Sequence, residues 1–347
     1  MIKPKNLLIV RTDRIGDVIL SLPLAGIIKK YFPECKITFL LREYTKSLAY
    51  GNPNIDEIII LHEQDGKINL RKNISEIMLR KFDSVILVYP TFITALIIYL
   101  SRIKSRIGTG YRWYSFLFNR KIYTHRKFAG KHELEFNVEM LHEFGIREEV
   151  NEDNVTFNLK HDEKSKALIK ELFSANNIQS GTPVIIVHPG SGGSAVDLPI
   201  GKFKELVQII ESKLDSIIIV TGTESEKSIC NELVISKKVH NFAGKLELAG
   251  LIALIDRADI FISNSTGPIH IAAALGKFTV GFYPKILSCS SRRWGPYTRK
   301  KIIFTPEIDC SDCTRNQCEK LDCMRSINPV KVFSSIEDVF HSQLRRV

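Results

Sequence analysis

Two kinds of stretch alternate along this chain of 347 residues: short unbroken runs of apolar, often β-branched residues, and longer segments with apolar positions at helical spacing. In the first half the runs are NLLIV at 6–10, KITFLL at 36–41, EIIIL at 57–61 and SVILVY at 84–89. The second half restarts the rhythm with PVIIVH at 183–188, SIIIV at 216–220, DIFIS at 259–263 and FTVGF at 278–282. A strand covered on both faces reads as a continuous apolar run, so helix-length connections between such runs predict parallel sheets with helices on both sides. The chain therefore reads as α/β, with two doubly wound sheets. The polar stretch at 147–165 is the natural junction. It gives an N-terminal Rossmann-like domain over 1–160, a second over 161–330, and a C-terminal helix over 331–347 expected to pack back on the first. The longest uncharged stretch, 84–100, approaches membrane-spanning length but carries Pro90 after a strand-like run, and reads as a buried strand, a turn and a helix.

Two strand-to-helix corners carry the chemistry: RTDRIGDVILSLP at 11–23 and SNSTGPIHIAAALG at 263–276. Helix starts present unpaired N–H groups and the positive end of the dipole, which suits anions. Together the corners predict two walls of a cleft for a phosphate-bearing ligand. A third segment, HPGSGGSAVDLP at 188–199, leaves a strand through Gly190, Gly192 and Gly193, which permit positive φ and close backbone approach to a phosphate.

Composition agrees with a globular protein, at 44% apolar and 25% charged residues, and the length suits two cores. The opening MIKPKNLLIV runs at once into Arg11, Asp13 and Arg14, unlike an export leader, so a cytoplasmic location is expected. The net charge of +11 is uneven. No acid occurs between Asp83 and Glu133, while Arg102, Lys104, Arg106, Arg112, Arg120, Lys121, Arg126, Lys127 and Lys131 fall inside, interleaved with Tyr111, Trp113, Tyr114, Phe116, Phe118 and Tyr123. Read as a loop surface, this stretch attracts anions. It lacks a nucleic-acid reading motif, and its aromatic and basic mixture fits a phosphorylated lipid at an anionic membrane surface. A merely solvated loop is the alternative.

Taken in order, RTDRIGDVILSLP, HPGSGG at 188–193, TGTESE at 221–226, STGPIHIAAALG at 265–276 and CMRSINP at 323–329 resemble glycosyltransferase family 9, the bacterial lipopolysaccharide heptosyltransferases. The resemblance implies a GT-B architecture of two facing Rossmann-like domains. It also implies inverting transfer of a sugar from a nucleotide diphosphate, heptose from ADP-heptose, to a lipid-linked core oligosaccharide, with no cofactor required. Inversion needs a base for the acceptor hydroxyl as an oxocarbenium-like transition state forms. The family pattern puts it at Asp17, with Asp13 as the substitute. On the residues alone, Asp17 reads first as an acid that caps the helix and complements its dipole. Arg11 would orient the acceptor or offset phosphate charge, or else form a surface ion pair. Thr12, Asp13 and Arg14 would line the mouth of the acceptor site, with Arg112, Arg120 and Lys121 beyond.

For the donor, the resemblance implies Gly190, Ser191 and Gly192 on phosphate, Glu224 on ribose hydroxyls, and Leu246 near the base. Ser265, Thr266 and Gly267 would bind diphosphate and sugar, with Ser or Thr capping the helix, and His270 would meet the leaving oxygens. Glu224 and Glu226 are also helix-start acids, and Leu246 and His270 also fit a core. Related sequences carry Lys-Arg-Trp-Pro where this chain has Val196, Asp197, Leu198 and Pro199, and many carry Asp at the position of Ser265. These departures keep open another nucleotide sugar, a protein acceptor, or a non-catalytic anion-binding role. Finally, Cys310, Cys313, Cys318 and Cys323, spaced C-x2-C-x4-C-x4-C, form a candidate structural zinc or iron cluster.

Overall fold

The computed structural model describes residues 3–308 and 313–343. The chain divides into two compact units, residues 1–127 with 131–160, and 128–130 with 161–347.

In the first unit, β1 (Asn6–Val10), β2 (Lys36–Leu41) and β3 (Glu57–Ile60) are followed by a small hairpin, β4 (Glu63–Gln64) and β5 (Lys67–Ile68), and then by β6 (Ser84–Leu87), β7 (Ser105–Thr109) and β8 (Arg120–Ile122). Its helices are α1 (Ile15–Ile19), α2 (Pro23–Tyr31), α3 (Leu70–Leu79), α4 (Phe92–Leu100) and α5 (Glu133–Glu139). The second unit holds β9 (Val184–His188), β10 (Ile217–Val220), β11 (Val239–Asn241), β12 (Ile260–Asn264), β13 (Phe278–Phe282) and β14 (Lys301–Phe304). Around them run α6 (Glu163–Ala175), α7 (Ile200–Lys213), α8 (Lys227–Asn231), α9 (Leu248–Asp256), α10 (Gly267–Ala274), α11 (Ser291–Trp294), α12 (Arg315–Lys320) and α13 (Pro329–Gln343).

The sheets run β3-β2-β1-β6-β7-β8 and β11-β10-β9-β12-β13-β14. Every pairing in both is parallel. Leaving the hairpin aside, each sheet has the strand order 3-2-1-4-5-6, whose reversal opens a crevice beyond the carboxyl ends of its two central strands. In the first unit that point lies between β1 and β6, and in the second between β9 and β12.

Four differences from the sequence expectation have physical causes. The segment read as a basic surface loop contains β7 and β8, whose SRIGT and RKI carry charge at the half-buried Arg106 and the exposed Arg120 and Lys121 and so lack an apolar run. β11 and β14 were missed likewise, one short and one only half-buried. The helix expected after β1 is two helices, with Pro23 starting the second, where its missing N–H costs nothing. The C-terminal helix, expected to pack back on the first domain, lies on α7. Val332, Phe333, Ile336 and Phe340 there join Phe203, Leu206, Val207 and Ile210 in the second unit's core. The 84–100 stretch is β6, a turn at Pro90 and α4, and among the described residues no helix is long and apolar enough to cross a membrane.

Candidate functional site

In the first unit, β1 ends at Val10 and the chain turns through 11–14 into α1. The Arg11 amide continues the ladder to Leu40 O, which swings its side chain inward, where it is 2% exposed. Its Nε donates to Asp13 Oδ1 at 2.7 Å, its Nη2 to Asp17 Oδ1, and its Nη1 lies 3.7 Å from Glu133 Oε1 on α5. Arg126 donates to the same Glu133 and, at 3.1 Å, to Asn137 Oδ1. Asn137 in turn donates to Leu20 O at 3.0 Å, tying α5 to the corner.

Three carboxylates thus meet two guanidinium groups in a nearly dry cluster. Burial, joined by the charge of Asp17, pushes the Asp13 carboxyl up to about 7 against the pull of Arg11. Burial works to lower the Arg11 pKa, but Asp17, Asp13 and Glu133 outweigh it and raise it, so Arg11 stays charged. Arg11 is therefore no surface ion pair, and its guanidinium is committed to carboxylates rather than turned to an acceptor. Asp17 sits in the first turn of α1, yet its carboxylate goes to Arg11 and no side chain caps the helix. Asp17 keeps 15% of its side-chain surface and Asp13 11%. Thr12 is buried and Arg14 exposed. Glu133 and Arg126 were missed as site residues; the one sequence signal was that Glu133 ends the acid-free stretch.

In the second unit, His188 closes β9 in a buried position and shares a 2.9 Å hydrogen bond with Thr221 Oγ1. Burial pushes it down to about 4, against the nearby Glu226, so it is neutral at physiological pH. Beyond it Gly192 and Gly193 adopt φ of +55° and +74°, while a methyl at Gly190 would run into the Glu226 carboxylate. Asn264, fully buried at the end of β12, pins both ends of this loop: its Nδ2 donates to Pro189 O, and its Oδ1 accepts from Leu198 N at 2.8 Å. Asn264 lies within the 263–276 corner but was not singled out there, since an amide at a strand end is common. Val196 and Leu198 pack into the core, and burial pushes Asp197 between them up to about 6. The guanidinium touching this loop comes from Arg315 on α12, which donates to Gly193 O at 3.0 Å and Ala195 O at 3.3 Å.

Across the same switch point Ser265, Thr266 and Gly267 lead into α10, with Pro268 in its first turn. Thr266 occupies the N-cap position, but its hydroxyl does not make the expected cap bond. His270 is 5% exposed. The fold thus gathers Gly190, Ser191, Gly192, Ser265, Thr266, Gly267 and His270 around the carboxyl ends of β9 and β12. Glu226, accepting from Thr223 N at 2.8 Å, is the cap partner after β10, which leaves Glu224 exposed over Gly244. Leu246 is half-buried against Gly250.

Within the basic stretch, Arg106 is spent on Leu117 O and Ile103 O, Arg126 on Glu133 and Lys131 on Glu139, whereas Arg112, Arg120 and Lys121 are exposed. Trp113 stacks on Phe92 at 4.8 Å between centroids and stays 73% exposed, with Phe116 66% exposed. Of the cysteines, Cys310 lies outside the described residues, Cys318 and Cys323 are buried in the second unit's core, and Cys313 packs against it. Among the described residues no three His, Cys, Asp or Glu side chains are grouped to hold a metal.

The family model described as glycosyltransferase family 9 (heptosyltransferase) matches residues 70–323. A Haemophilus influenzae protein provisionally designated a glycosyltransferase is 30% identical over 87% of this chain and 89% of its own length. Lipopolysaccharide heptosyltransferase 3 of Escherichia coli is 23% identical over 90% of this chain and 93% of its own. Among solved structures, the E. coli ADP-heptose lipopolysaccharide heptosyltransferase II superposes with a TM-score of 0.80 at 19% identity, covering 97% of this chain and 99% of that one. The two Rossmann-like units with parallel sheets are the GT-B fold of such enzymes. The chain is a glycosyltransferase and belongs to glycosyltransferase family 9, the heptosyltransferase family.

Proposed function

We propose that this chain is an inverting transferase that moves heptose from ADP-heptose onto a lipid-linked lipopolysaccharide-core acceptor at the cytoplasmic face of the inner membrane. The observation that carries this is the Asp17 carboxylate, held by a buried arginine at the mouth of a Rossmann crevice and still partly open to solvent. Asp17 takes the proton of the acceptor hydroxyl as the anomeric bond to diphosphate breaks and the sugar passes through an oxocarbenium-like state. The departing charge falls on the first-turn N–H groups of α10 and the glycine loop, with Thr266 and His270 at hand and Glu224 on the ribose. Arg14, Arg112, Arg120 and Lys121 meet acidic groups of the acceptor, and the exposed Trp113 and Phe116 suit a lipid interface beside them. The names of the similar enzymes support heptose and lipopolysaccharide.

The loop supports a second reading. The core residue Val196 and the part-buried Asp197 stand where related sequences carry Lys and Arg, which favours another nucleotide sugar or a protein acceptor on the same chemistry. Incubating the full chain with ADP-heptose and a heptose-deficient lipid-linked core, followed by mass spectrometry of the acceptor, tests the choice. Addition of one heptose is expected. Transfer only from a different nucleotide sugar, or only to protein, would replace the first reading by the second.

A further inference from the structure

Asp13 and Asp17 hang on one guanidinium, Asp13 from Nε and Asp17 from Nη2. Glu133 approaches the third nitrogen and is itself engaged by Arg126 from behind. Arg14 of the same turn, and Arg42 and Tyr44 after β2, complete the charged and titratable surroundings; the Tyr44 hydroxyl donates to the Asp13 carbonyl. Three acids facing the paired Arg11 and Arg126 leave the cluster one negative charge in excess. Carboxylates this close cannot be treated singly, since each ionised one raises the proton affinity of the other. The pair shares one cation, so protonating one partner hands that cation to the other.

We propose that Asp13 is a positioning residue that tunes the base: ionised, it draws Arg11 toward itself and leaves Asp17 more basic; protonated, it cedes Arg11 to Asp17 and weakens it. This rests on Asp17 being the base. Burial that lifts Asp13 to about 7 sets the exchange near neutral pH. Activity then rises with pH through the ionisation of Asp13, although Asp13 itself moves no proton of the substrate.

The test is a 13C NMR titration of the aspartate carboxyls in the full chain, run beside pH profiles of heptose transfer from ADP-heptose to the lipid-linked core. In the parent, one aspartate carboxyl is expected to titrate near pH 7 and to disappear in Asp13→Asn. The rise in kcat near pH 7 should vanish and its plateau fall by about tenfold, with the donor KM unchanged. Asp13→Ser serves as the second variant and should behave alike. A pH profile of kcat untouched by either variant, with Asp17→Asn inactive, would overturn the role of Asp13 alone. Normal turnover by Asp17→Asn would remove the base assignment and this inference with it.

Discussion

The two units build one strand-to-helix device from opposite materials. After β1 the corner is built of charge, with Arg11 buried among Asp13, Asp17 and Glu133. After β9 and β12 it is built of backbone, with left-handed glycines, an open helix start and a neutral His188, held by the amide of Asn264. Removing a proton takes an ionised group, and a buried ion costs several kcal/mol unless it is paired, so the first corner carries its own counter-ions. Holding a diphosphate takes oriented donors, which backbone N–H groups supply without burying any charge. On the proposed function, the difference teaches that one Rossmann frame positions both sites, while the residues at each turn set its chemistry.

The comparison would break most visibly at Arg11. Arg11→Met leaves three carboxylates without their shared cation, and should destabilise the first unit by ~3–5 kcal/mol. Thermal melting would read this, and an unchanged melting temperature would mean that the cluster is not the buried charge site described. Next in size, Asp17→Asn should lower kcat by ~100-fold or more while nucleotide binding, followed by calorimetry, stays as in the parent. A loss in nucleotide affinity instead would assign Asp17 to binding.

The converse change falls on Asn264. Asn264→Ala frees both ends of the glycine loop and leaves Pro189 O and Leu198 N unpaired, so nucleotide affinity should fall by about tenfold. The pH response of Asp13 should not change in this variant. Equal affinity in parent and variant would mean that the loop holds its shape without the clamp.

The smallest effect sharpens the contrast through pH. His188 is held below its ordinary 6.5, so its share of stability is full above that value and is lost as pH falls toward about 4. Asp13 is held above its ordinary 3.8, so its share is full at acid pH and is lost as pH rises through about 7. Relative to the parent, the urea midpoint of His188→Gln should therefore rise as pH falls toward about 4, and that of Asp13→Asn should rise as pH climbs through about 7. Gaps that vary with pH in the same direction for both variants would erase the distinction between a charged corner and a neutral one.

Much of this was legible along the chain because it is local. Apolar runs such as NLLIV and PVIIVH are strands wherever both faces are covered, Gly192 and Gly193 announce positive φ, and a phosphate-friendly helix start follows from Thr266-Gly267-Pro268. The flanking strands were not legible, because Arg106, Arg120 and Lys121 interrupt SRIGT and RKI at positions open to solvent and remove the contrast on which periodicity depends. The family motifs marked Asp17 and the α10 corner, but not Glu133, Asn264 or Arg315.

Residue types by themselves determined the α/β alternation, the two restarts of the same frame, the places where backbone could cradle an anion, and the presence of acids able to take a proton. Which groups meet was decided only when the chain closed. Arg11 turned inward to three carboxylates, Glu226 rather than Glu224 took the cap, and α13 spent its apolar face on α7. The reason is physical. Periodicity and turn chemistry act over a few residues and are written in order, whereas the partner of a buried charge or amide is whatever long-range packing brings within hydrogen-bond reach.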